Sequence, residues 1–244
     1  MEQKVRLDKL LVKYGHADNV NKARALVMAG KVLVNEIKVD KPGTKFKGNI
    51  VIRLLKKPHD WASRGGIKLN HALIELNLKV KDKVCADLGS STGGFTDVLL
   101  RRNAKHVYCV DVGKGLLDWR ILNSNKVTIL ENTNVRNLFI DDICSKINFL
   151  TCDLSFISIT KALEKIVTTK KKNIIILALI KPQFELAKHM IGKKGVVTNN
   201  NYREIAIKKV RDWFVLNGWK DKGIIKSPIT GAAGNEEYFI YCEK

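Results

Sequence analysis

Between residues 83 and 184, five short runs are apolar almost without a break: KVCADLG, HVYCVDVG, KVTILEN, INFLTCDLSF and NIIILALIKPQF. A strand with one wet face alternates polar and apolar residues; these do not, so both of their faces must be covered. Helical spacing appears between and around them, over 68–76, 93–102, 158–167 and 200–217. Runs that take turns in this way predict an α/β domain over 65–244, a mostly parallel sheet with helices on both sides. Two last runs, WKDKGIIKSPI and EYFIYCEK, follow each other with no helix between them and predict an antiparallel hairpin at the sheet edge.

The first 57 residues form a separate, smaller pattern. RLDKLLVKYG puts Leu7, Leu10 and Leu11 on one helical face and stops at Gly15. Asn19 is placed to cap a second helix, NKARALVMAG, which presents Ala23, Leu26 and Val27 and stops at Gly30. KVLVNEIKV then reads as two strands around Asn35-Glu36, and IVIRLL as a third after the turn KPGTKFKGN. This helix–helix–hairpin order, with AGKVLVN at its joint, resembles the S4 RNA-binding domain. The resemblance implies a small α+β unit whose basic face meets structured RNA, with Lys9, Lys13, Lys22, Arg24 and Lys31 as its candidates. Two positions depart from the pattern: Val20 stands where Arg often follows the cap, and Glu36 where Gly usually turns the chain. The aperiodic KKPHDWASRGG supplies a linker over 58–64, with Trp61 as an anchor.

The chain carries 44 Lys and Arg against 24 Asp and Glu, a net charge of +20. Such an excess attracts polyanions, nucleic acid first and anionic membrane second, although a lysine-rich proteome is a competing source of it. The five cysteines (Cys85, Cys109, Cys144, Cys152 and Cys242) form no C-x-x-C pair, so neither a disulfide framework nor a metal site is expected. The N-terminus has no signal-peptide core, and IIILALI at 174–180 is far short of a membrane span, so the chain reads as soluble and cytoplasmic.

The first strand of the large domain runs into DLGSSTGGFTD, residues 87–97. Ligands of open α/β sheets bind beyond the carboxyl ends of the strands, at such a turn. Gly89, Gly93 and Gly94 would let backbone approach a ligand, with Ser91, Thr92 and Phe95 around them, and the following helix offers free N–H groups to a carboxylate. Asp87 would draw in a positive amino group through water or a loop. The next strand ends at Asp111, where an acid accepts hydrogen bonds from both ribose hydroxyls of an adenosine and rejects a 2′-phosphate. In LENTNVRNL, Asn132, Thr133 and Asn134 line an adenine edge and Val135 packs on the ring. The turn lacks the G-x-G-x-x-G spacing that closes on a pyrophosphate, which favours S-adenosylmethionine over NAD. The antiparallel finish of the sheet agrees, being associated with methyltransferases rather than dehydrogenases.

Four charged residues fall at the same rim. SRGGIKL carries Lys68, TCDLSFIS carries Asp153, LALIKPQFE carries Lys181 and GNEEYFIY carries Glu237. A lysine beside a buried strand end costs several kcal/mol unless paired, so a Lys181–Asp153 pair is expected there, flanked by Lys68 and Glu237. With DLGSSTGGFTD and VDVG, these stretches look like the TlyA family, an S4 domain joined to a ribosomal RNA methyltransferase of the FtsJ type. The resemblance implies a Rossmann-like S-adenosylmethionine-dependent domain that methylates a ribose 2′-hydroxyl, with Lys68, Asp153, Lys181 and Glu237 as the catalytic set. Glu236 is the adjacent alternative to Glu237. Lys181 would act as base or steady the alkoxide, the two acids would orient the lysines, and Lys68 would hold the ribose or its phosphate; no metal is required.

By resemblance, the partner is the ribosomal subunit and the target a cytidine in large-subunit RNA, with small-subunit RNA as a second candidate; the short termini look like the group restricted to the former. Arg64, Lys188, Lys193 and Lys194 are candidates for the RNA backbone path. The rival functions are a non-catalytic ribosome-assembly factor, a haemolysin, as this family is often labelled, and a small-molecule methyltransferase. The first predicts loss of some of the four charged residues, the second a signal or membrane segment, and the third no S4-like unit.

Overall fold

The computed structural model, which describes residues 4–47, 49–55 and 59–244, separates Met1–Asp60 from Trp61–Lys244. The boundary expected between residues 57 and 58 lies outside the described residues.

In the small unit β1 (Val5–Arg6) leads into α1 (Leu7–Lys13) and α2 (Val20–Met28), followed by β2 (Val32–Val34), β3 (Ile37–Val39), β4 (Lys45–Phe46) and β5 (Ile52–Leu54). Asn19 caps α2, its side chain accepting from the Lys22 N–H at 2.9 Å. The apolar stripes of the helices meet as expected: Leu7, Leu11, Ala23 and Val27 close on Val32 and Val34 of β2. That strand lies between β3 and β5, antiparallel to both, while β1 pairs with β4. Asn35 and Glu36 both take positive φ, +49° and +64°, so Glu36 makes the hairpin turn without glycine's freedom. Arg53 on β5 donates Nε–H to its carboxylate at 2.9 Å.

One carboxylate is fully buried in this unit. Asp8 accepts from Arg6 Nη2 at 2.7 Å, Arg24 Nε at 3.1 Å and the Lys9 N–H at 2.9 Å. The Arg6 hydrogen bonds, with lesser help from Arg24, outweigh burial and hold the carboxyl at about 2.

The larger unit opens with α3 (Gly65–Glu75) and then alternates: β6 (Val84–Leu88), α4 (Gly94–Arg101), β7 (His106–Val110), α5 (Trp119–Leu122), β8 (Val127–Leu130), α6 (Ile140–Ile143), β9 (Phe149–Cys152), α7 (Ile159–Ala162), β10 (Ile175–Ile180), α8 (Pro182–Glu185) and α9 (Asn200–Leu216). β11 (Lys220–Lys226) and β12 (Tyr238–Glu243) complete it. The sheet order is β11-β12-β10-β9-β6-β7-β8, and only β12 is antiparallel. β12 inserts between β10 and β11, so of the expected hairpin only β11 forms the edge. Chain direction across the sheet reverses between β6 and β9, which puts the ligand-binding crevice at their carboxyl ends.

Four of the apolar runs are buried from both sides, whereas the fifth, β8, is a half-buried edge strand with Ile129 exposed. Cys85, Cys109, Phe149 and Leu177 meet Leu69, Leu73 and Phe95 of α3 and α4, while Ala86, Val110, Leu150 and Ile176 meet Ala162, Val210 and Phe214 of α7 and α9. Burial pushes the Cys85, Cys109 and Cys242 thiols up to about 12, which suits small core residues. Residues 61–64, expected in the linker, are tied to this unit: Ala62 N–H donates to Asp97 at 2.8 Å and the Arg101 guanidinium lies 4.7 Å over the Trp61 ring. No helix among the described residues is long and apolar enough to cross a membrane.

Because its folded pKa lies below the ordinary 3.8, Asp8 contributes stability that is full above that value and lost as pH falls toward about 2. Asp8→Asn should lower the stability of the full chain at neutral pH by about 1.5–3 kcal/mol, the range for hydrogen bonds to charged groups. Its acid-unfolding curve, followed by circular dichroism, should be shallower than that of the unaltered chain between about pH 4 and pH 2.

Candidate active site

β6 delivers Asp87 and Leu88 to the crevice, and the chain turns through Gly89–Gly93 into α4. Gly89 and Gly93 have φ of +84° and +88°, a region suited to glycine. The space in front of them is already filled by protein. A Cβ on Gly89 would lie 2.7 Å from the Asp153 carbonyl oxygen, and one on Gly93 would lie 2.1 Å from Ile121 Cδ1. At Gly94 it would lie 2.2 Å from Ser63 Oγ. The missing side chains let the turn close on β9, α5 and the start of α3, while Gly89 and Gly94 still line the hollows described below.

Asp87 is turned inward as well. It is fully buried, and its two carboxylate oxygens accept from Thr96 Oγ1 at 2.7 Å and Thr151 Oγ1 at 2.9 Å. Burial pushes its carboxyl up to about 6, against the pull of these two hydroxyls. A carboxylate sealed beneath the turn makes no direct contact with a ligand, which leaves the approach through water or a loop that its position suggested.

Two hollows adjoin the turn. The larger, about 400 Å³, is lined by Gly89, Ser91, Asp111, Asn134, Val135 and the stretch Asp153–Ile157. Asp111 Oδ2 accepts the Ser91 N–H and Oδ1 the Gly113 N–H, both at 2.8 Å. A carboxylate oxygen has a second lone pair to offer, so the group can still receive hydroxyls. Val110, Val135, Leu154 and Ile157 supply apolar walls, and the volume lies in the range of small-molecule sites. An acid at one end and apolar walls beyond it fit the ribose and base of a nucleoside.

The smaller hollow, about 250 Å³, takes in Thr92, Gly94, Phe95, Lys68 and Lys181, and shares Gly89, Ser91, Asp153 and Ser155 with the larger. Gly93 and Asp87 line neither. Here the four charged residues converge from α3, the end of β9, the end of β10 and the start of β12. Lys181 Nζ lies 2.6 Å from Asp153 Oδ1, while Lys68 Nζ lies 2.6 Å from Glu237 Oε2 and 3.9 Å from Asp153 Oδ2. The result is a continuous chain of alternating sign, Glu237–Lys68–Asp153–Lys181, with three members buried and the Asp153 side chain 19% exposed at the hollow. Glu236 is not part of it: its carboxylate pairs with Lys226 and Arg203 and accepts from Tyr238 Oη.

Two residues of the site escaped the sequence analysis. Lys181 Nζ donates to Ser155 Oγ at 2.9 Å, which gives the amine a neutral partner beside its carboxylate. Phe156 is 91% exposed, takes a φ of +65° and places its ring 5.5 Å from that of Phe184. A bulky residue in that backbone region is uncommon and carries a conformational cost. The available signal was a Ser-Phe pair directly after a charged strand end.

The RNA candidates are dispersed. Lys9 and Lys13 are exposed on α1, Lys22 pairs with Asp18 at 2.6 Å, and Arg24 is committed in part to Asp8. Lys31 is half-buried, Lys188 is exposed, and Arg64 lines the smaller hollow while donating to the Thr230 carbonyl at 2.6 Å.

The comparisons agree with this geometry. The FtsJ-like methyltransferase family model matches residues 61–244 and the S4 domain model residues 5–52. A Mycobacterium tuberculosis protein named 16S/23S rRNA (cytidine-2′-O)-methyltransferase TlyA is 37% identical over 99% of this chain and 90% of its own. A solved Streptococcus thermophilus structure, provisionally named a hemolysin, superposes with a TM-score of 0.75 at 36% identity, over 100% of this chain and 90% of that one. An S-adenosylmethionine dependent methyltransferase from Mesorhizobium loti shares the fold alone, with a TM-score of 0.52 at 11% identity over 71% of this chain and 96% of that one.

A buried acid whose folded pKa is raised makes the folded state less stable as pH climbs from the ordinary 3.8 through about 6. Thr96→Val removes one of the two hydroxyls that favour the Asp87 carboxylate. The variant should lose more stability at pH 7 than at pH 5, by about 1–3 kcal/mol at the higher pH in urea titrations.

Proposed function

We propose, from the premise that this chain belongs to the TlyA family, in which an S4 domain precedes an FtsJ-like methyltransferase domain, that it methylates the ribose 2′-hydroxyl of a cytidine in large-subunit ribosomal RNA. The observation that carries the reading is the chain Glu237–Lys68–Asp153–Lys181, three of whose members, Lys68, Asp153 and Lys181, line a hollow that shares its wall with a nucleoside-shaped one.

Asp111, Ser91, Asn134 and Val135 would hold S-adenosylmethionine, which would supply a methyl group already activated on sulfur. The protein has to make a poor nucleophile react and keep it aligned. Lys181 Nζ, fixed between Asp153 and Ser155, would first release a proton to solvent; its neutral amine would then accept the hydroxyl proton as the new O–C bond forms and the donor's S–C bond breaks, and Asp153 would stabilise the ammonium that is restored. Glu237 fixes Lys68, which holds the ribose or its neighbouring phosphate at the mouth of the smaller hollow. Gly231 sets the other side of that carboxylate: a Cβ there would lie 2.4 Å from Glu237 Oε1. The exposed ring of Phe156 beside Phe184 gives an unstacked base a face to rest on, as recognition of a nucleotide drawn out of folded RNA requires. The S4 unit supplies the grip on structured RNA, and the chain's net charge of +20 supports the attraction.

Incubating the purified chain with separate large and small ribosomal subunits and labelled methyl donor, then mapping the product by mass spectrometry, tests the reading. A ribose-methylated cytidine in large-subunit RNA is expected, and label confined to a base or to small-subunit RNA overturns that part. Lys181→Ala should lower methyl transfer by at least about a hundredfold, as loss of a general base does, and leave cofactor affinity nearly unchanged. Asp111→Ala should weaken S-adenosylmethionine binding in calorimetry by about ten- to a hundredfold, partly because the Ser91 and Gly113 N–H groups lose their acceptor.

A further inference from the structure

Six strands of the large sheet run parallel, and each starts at, or within three residues after, a lysine. Across the sheet from β11 to β8 these are Lys220, Lys172, Lys146, Lys83, Lys105 and Lys126. Lys244 closes the antiparallel β12 on the same rim. Neighbours in the row are joined through backbone: Lys105 N–H donates to the Lys83 carbonyl at 2.8 Å, and Val107 N–H to the Lys126 carbonyl at 2.9 Å. With strands about 4.8 Å apart, the row is about 30 Å long. Lys83, Lys172, Lys220 and Lys244 surround a hollow of about 460 Å³ in which Glu243 is the one acid.

The opposite rim is mixed in sign. There the strand ends meet Asp111, Glu131, Asp153 and Glu237 together with Lys181 and Lys226, and both lysines are paired, with Asp153 and Glu236 respectively. What sets the amino-rim row apart is that its six lysines stand outside the ion pairs among the described residues.

Helix C-termini also point to the amino rim, and cations there can complement helix dipoles. Two lysines act on backbone in this way. Lys171 Nζ donates to the Ile147 carbonyl at 2.9 Å, and Lys244 Nζ to the Val167 and Asn217 carbonyls at 2.9 and 3.2 Å. The six of the row form no ion pair among the described residues, and Glu243 is already shared by Lys222 and Tyr241.

We propose that this amino-terminal rim is a second RNA-binding face, a track for phosphate backbone on the side of the domain away from the active site. The proposal rests on the reading that the substrate is RNA. Free ammonium groups repeated at strand spacing match a linear series of phosphates better than a single small anion, and lysine meets phosphate as an adaptable point charge. A methyltransferase built this way holds RNA at both rims of one sheet and works within a folded RNA rather than on its outer surface.

The test uses the full chain carrying Lys83→Gln, Lys105→Gln, Lys172→Gln and Lys220→Gln together. Binding to a large-subunit ribosomal RNA transcript is followed across a potassium chloride series. Each lost phosphate contact lowers the slope of log affinity against log salt by about 0.7–0.9, so a fall of about 3 is expected. Affinity should drop at least tenfold, with S-adenosylmethionine affinity unchanged. Unaltered slope and affinity overturn the proposal, and so does a lower melting temperature with unaltered affinity, which would assign the lysines to helix dipoles. If the quadruple variant does not bind cofactor, the pairs Lys83→Gln/Lys105→Gln and Lys172→Gln/Lys220→Gln are compared; each should lower the slope by about 1.5, and no change in either overturns the proposal. Loss of binding to phosphatidylglycerol vesicles with RNA binding intact also overturns it. Methyl incorporation by the unaltered chain is scored separately, so failure of the proposed reaction is not confused with failure of the rim.

Discussion

Two ammonium groups and two carboxylates lie almost out of reach of water at the carboxyl edge of the sheet, and none of the four could stay there alone. An unpaired charge in such a place costs several kcal/mol, whereas alternation of sign lets each group serve as its neighbour's counter-ion. Asp153 is the middle of the arrangement, with one oxygen 2.6 Å from Lys181 and the other 3.9 Å from Lys68. The pairing requires α3, β9, β10 and β12 to end at one point, so the topology of the sheet and the chemistry of the cleft impose the same condition. A strand order without β12 beside β10 would leave Lys68 without Glu237.

The glycine-rich turn follows the same economy. Its glycines let backbone, Ile121 and Ser63 approach the turn, and Asp87 under it is held by two threonines. The turn is thus a rigid support from which Ser91 reaches Asp111, and the cofactor wall is built from what the support carries. Substitutions inside the support would act on the hollow through its shape, whereas Asp111 and Asn134 line the hollow itself.

Charge is sorted along the strand direction. The carboxyl rim holds acids and paired lysines, and the six lysines that open the parallel strands at the amino rim form no ion pair among the described residues. Part of this sorting is what helix dipoles favour at the two ends of any α/β sheet. The part that dipoles do not explain is a row in which every parallel strand contributes one cation and none is neutralised.

Much of this was legible in the sequence. The five apolar runs read as strands covered on both faces; all five are strands and four are buried, while KVTILEN forms the half-buried edge strand β8; the four conspicuous charges do meet. The short helices α5, α6 and α8 left no periodic signal because four residues make barely one turn. Ser155 and Phe156 were missed because their roles come from a loop bent around Lys181, which no spacing rule describes. The choice between Glu236 and Glu237 was equally closed to the sequence, since adjacent residues leave the chain in opposite directions at the start of a strand and only the neighbouring β10 and α3 say which direction faces Lys68. The sequence by itself determined which segments are strands, where each ends and which charges stand at those ends, because burial and periodicity are local properties. The tertiary structure alone decided which ends meet and which way Asp87, Glu237 and the rim lysines face, because those depend on the lateral order of strands distant in the chain.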